Sequence, residues 1–162
     1  MEHEDDFFDF DPEEFSEDDQ REMDREFEER RRKLAEHPLN VQAYEILNMI
    51  EVLLDTSADE SVKDMYGITL RESAQVIITK LSSGLNSTDY VLTMQKAALI
   101  RDHAEYLRLS NHMLDELDVF DKNYVKAFRD EMEKFRELFR EWAEEIRRQS
   151  VEYEDDWALF VK

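Results

Sequence analysis

Residues 125–146 read VKAFRDEMEKFRELFREWAEEI. Val125, Phe128, Met132, Phe135, Phe139, Trp142 and Ile146 follow one another at alternating steps of three and four, with charged residues filling most positions between them. Such steps return side chains to one side of an α-helix every 3.5 residues, whereas a half-buried strand needs steps of two. The stretch is a helix with one apolar seam of the a/d type, held over about three heptads. Glu133 and Arg136, and Glu137 and Arg140, stand at the i,i+3 spacing of helical ion pairs.

A seam of this kind has to be covered by other helices. Asp121 caps the helix, which runs to about Gln149. Upstream, Leu92, Leu99, His103, Tyr106, Ser110, Met113, Leu117 and Phe120 share a second seven-residue repeat, flanked by Ile100, Leu107 and Leu114. That pattern predicts a helix opening at Ser87 or Thr88 and ending near Leu117. The link from Asp118 to Lys122 is short, so the two long helices form an antiparallel hairpin.

Two shorter helices complete the core. The first spans residues 40–54, is capped by Asn40 and presents Ala43, Ile46, Leu47, Ile50, Leu53 and Leu54. After a short helical piece ending at Gly67, the second spans 69–83, is capped by Thr69 and presents Leu70, Ala74, Ile77 and Leu81. Gly84 follows as a left-handed C′ residue. A further helix starts at Ser16, where Asp19 three residues on completes a capping box, and stops before His37-Pro38. Its apolar residues are only Met23, Phe27 and Leu34. The expected fold is all-α: a helical bundle of four to five helices with a long C-terminal antiparallel helical hairpin. The expected organisation is an acidic, aromatic segment at 1–15, the bundle at 16–150 and an acidic tail at 151–162.

Composition agrees. The 162 residues include two Gly and two Pro, and 39% are charged, which suits helices and leaves few turn residues for a β fold. The net charge is −21. Residues 1–20 hold eleven Asp and Glu and no Lys or Arg; residues 21–40 hold six acids and six bases. Phosphates would be repelled, so no direct nucleic acid binding is expected. There is no Cys, which excludes thiolate chemistry and Cys-ligated metals. No basic-then-apolar leader and no apolar run of membrane length is present. A cytoplasmic protein with no membrane partner is the expectation.

Enzymatic templates find little purchase. Di-iron bundles use Glu-x-x-His on two helices, and the chain has none. His103 and His112 are nine residues apart on one helix, hence on opposite faces. There is no Gly-rich phosphate loop and no Gly-x-Ser-x-Gly elbow. No catalytic residue, no metal and no cofactor is assigned. His103 is the one polar seam candidate, either a pocket residue or a core histidine bonded across to a facing helix.

The segment DDFFDFDPEEF, residues 5–15, is the remaining feature: four Phe, Pro12, and Asp or Glu everywhere else. Solvating tails are poor in aromatics. The rings can clasp the bundle, with the acids meeting Arg30–Lys33 or Arg147 and Arg148. Alternatively the segment engages a basic protein surface, with Phe7, Phe8, Phe10 and Phe15 as anchors and Asp5, Asp6, Asp9 and Asp11 steering the encounter. The expected function is a non-enzymatic interaction or regulatory module with a basic protein partner. One alternative is a homo-oligomeric structural bundle, which would leave an apolar stripe uncovered on the first or last helix. A small-molecule or metal-binding bundle is a further alternative and would need a cavity around His103.

Overall fold

The computed structural model describes residues 16–149 together with Trp157 and Leu159. They are all-α, with helices α1 (Glu17–Glu36), α2 (Pro38–Asp55), α3 (Glu60–Gly84), α4 (Tyr90–Glu116) and α5 (Lys122–Gln149), and no strand among the described residues. The chain divides into two units, Met1–Lys33 and Leu34–Lys162.

In the first unit, α1 opens on the capping box read from the sequence. Ser16 Oγ accepts from the Asp19 N–H at 3.2 Å, and the Asp19 carboxylate accepts from the Ser16 N–H at 3.1 Å. The helix is laced by pairs such as Arg21–Glu17, Arg30–Glu26 and Lys33–Glu29. None of its residues is buried.

In the second unit, α2 packs on α3 and α5, and α4 packs on α3 and α5. The four helices of this unit therefore pack in chain order, and α5 closes the ring on α2. Short links force antiparallel neighbours, so this is an up-down-up-down four-helix bundle. At 1.5 Å per residue α4 and α5 are each about 40 Å long. Val125, Phe128, Met132, Phe135, Trp142 and Ile146 are buried, as their spacing predicts, while Phe139 is half-buried. They meet Leu39, Ile46, Ile50, Leu53 and Leu54 of α2, Leu70, Ile77 and Leu81 of α3, and Ile100, Leu107 and Leu114 of α4 in one core. Polar bridges join the rims: Arg71 reaches Glu51 through two bonds of 2.6 and 2.9 Å, and Gln42 donates to the Glu131 carboxylate at 2.6 Å. The amide atoms of Asn111, 1% exposed in the core, find no hydrogen-bond partner among the described residues.

Several local expectations are corrected. The stripe of α4 is rotated: Thr93, Ala97, Ile100, Leu107, Ser110, Asn111 and Leu114 are buried, while Leu92, Leu99 and Tyr106 are 48, 43 and 40% exposed. The helix has apolar residues around much of its girth, and contact with both α3 and α5 selects the face that looks between them. Asn40 is a buried residue inside α2 and not its cap; His37 is the cap, with Pro38 at the first helical position. Thr69 starts nothing, because α3 continues through Gly67 from its cap at Asp59. One interior glycine costs about 1 kcal/mol, and here it faces Leu54 Cδ1, which would lie 3.1 Å from any Cβ. Finally, Asp89 and not Ser87 or Thr88 caps α4, accepting from the Leu92 N–H at 2.9 Å.

Gly84 is the last residue of α3 and does not take positive φ; the left-handed residue is Asp118, at φ 53°, in the hairpin link. Gly84 serves instead as a flat seat for Trp142, whose ring carbons would lie 3.5 Å from an added Cβ, an ordinary contact. Gly84→Ala is therefore expected to stabilise the bundle by about 0.4–1 kcal/mol in urea denaturation, through the unfolded chain. A left-handed conformation would reverse the sign.

His37 Nδ1 accepts the Leu39 N–H at 3.2 Å, so the cap works only with that nitrogen unprotonated. Burial holds the imidazole below its usual range, against the opposing pull of Glu145. The unfolded chain therefore takes the proton first. The stabilisation is whole above the ordinary histidine value of about 6.5 and is lost as pH falls through the depressed folded value. His37→Asn keeps a capping acceptor that does not titrate. Between about pH 7.5 and 5.5 the unfolding free energy of the natural chain should fall relative to that variant, by an amount on the order of 1 kcal/mol. A pH-independent difference would remove His37 from this role.

Candidate functional site

The proposed partner-binding residues Phe7, Phe8, Phe10, Phe15, Asp5, Asp6, Asp9 and Asp11 lie outside the described residues. What the structure adds to them is their continuation. The capping box starts α1 at Ser16, and Met23 and Phe27 stand one turn apart on it, 55 and 63% exposed.

His103 sits half-buried where α4 meets α3, with Nδ1 3.3 Å from Ser73 Oγ. The two face an open groove of about 810 Å³ between the helices, walled by Val76, Thr79 and Tyr106 with Glu72 and Asp102 at its edges. The groove gives the histidine a hydroxyl partner and one side to solvent. Among the described residues no three His, Asp or Glu side chains converge on a point where a metal ion would be held.

A second groove, between α4 and α5, was not read from the sequence. Ala104, Met132, Phe135 and Phe139 form its apolar floor, and Arg101, Arg108, Arg136 and Arg140 stand around it, enclosing about 200 Å³. Phe135 and Phe139 stack with centroids 6.4 Å apart, and Phe139 meets Trp142 edge-on at 5.7 Å. Phe139 packs against the edge of the core and lines this groove, which leaves it half-buried.

The arginines are unequally neutralised. Arg108 donates from Nε and Nη2 to the Glu105 carboxylate at 2.9 and 2.7 Å, and Arg136 pairs with Glu133 at 2.7 Å. Arg101 comes only within 3.9 Å of Asp102, both largely in solvent. Arg140 makes no salt bridge among the described residues; its expected partner Glu137 is not engaged. The local field is positive. The Arg108 guanidinium holds the Glu105 carboxyl below the usual range, and the charges of Arg101 and Arg136 add to the effect. A signal for this site did exist in the sequence. Folding the chain about Val119 sets Arg101, eighteen residues before it, against Arg136, seventeen after it.

No helix among the described residues is long and apolar enough to cross a membrane. In comparison with known proteins, no family model matches the chain, and no curated protein or solved structure shows significant similarity to it.

Proposed function

We propose that the chain is a protein-interaction module that binds and does not catalyse, its acidic, aromatic N-terminal segment engaging a basic surface on a partner protein. The observation that carries this reading is α1. Twenty residues form a helix with none buried, and its exposed Met23 and Phe27 continue the run of aromatic and apolar anchors begun at Phe7. Anchors at helical spacing suit recognition in a partner's groove, and the eleven acids of residues 1–20 raise the encounter rate with a basic surface. A reducing compartment such as the cytoplasm is the proposed setting, in keeping with a chain without Cys.

The test compares the full chain with its Phe7→Ala, Phe8→Ala, Phe10→Ala, Phe15→Ala variant, first as bait in an extract of the source cells and then by titration with the purified partner. A basic protein should bind the full chain and lose at least about tenfold in affinity for the variant, as truncating hot-spot aromatics does. Far-UV circular dichroism should be unchanged. Equal affinity would remove these rings from the interaction.

One observation favours a second reading, self-association. Leu92, Leu99 and Tyr106 form an exposed stripe at seven-residue spacing along α4, which matches a facing helix from a second copy. The stripe lies on α4 and not on the last helix. By sedimentation equilibrium the natural chain should then be a dimer and Leu99→Glu a monomer. A natural chain that is monomeric throughout the concentration range would end this reading.

A further inference from the structure

The arginine-rimmed groove between α4 and α5 is unlike the surface around it. The chain carries twice as many acids as bases, 42 against 21, yet four arginines gather here over three large apolar side chains. Glu105 in the lining neutralises Arg108 and Glu133 pairs with Arg136, which leaves the charges of Arg101 and Arg140 to repel one another or to attract an anion. Arginine stems ordinarily lie down over apolar surface and cover it; here they leave about 200 Å³ open beside the half-buried Phe139. That is less than the roughly 300–1,000 Å³ of clefts that engulf a whole small molecule. It is the scale of a pocket for anchoring side chains at an interface.

We propose that this groove is a receptor for an acidic peptide segment of a partner protein, one that carries aromatic side chains. An aromatic ring enters the cleft and stacks on Phe139, the half-buried ring of its floor, with Phe135 buried beneath. Flanking carboxylates pair with Arg101 and Arg140, the two guanidiniums that no close internal carboxylate occupies. The fork of a guanidinium takes both oxygens of a carboxylate, so the rim selects acidic neighbours of the ring and rejects basic ones. Charge complementarity identifies this occupant: an apolar peptide would leave Arg101 and Arg140 without a close carboxylate, and a basic one would be repelled. The receptor is independent of the reading above, in which the chain supplies an acidic ligand.

The test is fluorescence anisotropy of a labelled synthetic peptide, DDFFDFDPEEF, titrated with the full chain. Three comparisons accompany it: the peptide with every Phe replaced by Ala, the Arg101→Gln, Arg140→Gln protein, and the Phe7→Ala, Phe8→Ala, Phe10→Ala, Phe15→Ala protein. The peptide should bind saturably below about 100 µM, weaken with added salt, and lose at least tenfold in affinity with the Ala peptide and with the Arg101→Gln, Arg140→Gln protein. Both substituted arginines are at the surface, so circular dichroism of that variant should match the natural chain. No saturable binding, or affinity unchanged by the arginine substitutions, overturns the proposal. Displacement of the peptide by an equal concentration of benzoate assigns the groove to small aryl anions and also overturns it. Binding by the Phe-to-Ala protein alone overturns the partner as occupant in favour of residues 5–15 themselves.

Discussion

Burial of the apolar seam of α5 is the constraint on which the four-helix unit is built. From Val125 to Ile146 it supplies large side chains, several of them aromatic, to one core, and both α2 and α4 pack on it. Outside that seam α5 is mostly Lys, Arg, Asp and Glu, so it has one orientation in which it can be buried. The other helices are less particular. α2 and α4 adjust their rotation to α5 and to α3, and the polar bridges at the rims, Arg71–Glu51 and Gln42–Glu131, fall where that rotation leaves them.

Charge is then organised on two scales. Within helices, many bases pair three or four residues away, as Lys33 does with Glu29 and Arg148 with Glu144. Pairs of this kind are exposed and add little individually. Between helices, packing creates local fields that net charge does not reveal. The groove lined by Arg101, Arg108, Arg136 and Arg140 is positive on a chain of net charge −21. On the two proposals above, a strongly acidic chain would offer both an acidic ligand segment and a basic receptor surface, to partners that need not be the same.

The segment at 1–15 and the groove between α4 and α5 were open to sequence reading in very different degrees. The first is contiguous, so its alternation of Phe and Asp is visible by inspection. The second is assembled from two helices, and its arginines become neighbours only when the hairpin closes. His103 lies between these cases. Its place on a polar interruption of an apolar pattern was legible, but its partner, Ser73, is thirty residues away on α3.

Periodicity alone established the helical class, the antiparallel hairpin, the buried face of α5 and the capping box of α1, because these depend on residues within one or two turns of each other. The rotation of α4 did not follow from its heptads. Leu92, Leu99 and Tyr106 satisfy the spacing as well as Ala97, Ile100, Leu107 and Leu114 do, and only the positions of α3 and α5 distinguish the two sets. The continuity of α3 through Gly67 has the same origin, since packing on Leu54 outweighs a local preference of about 1 kcal/mol. So does the contact at Gly84, which Trp142, 58 residues further along the chain, packs against. Local spacing specifies which residues lie on one helical face; which face is buried is set by non-local burial, whose free energy exceeds the local preferences it overrides.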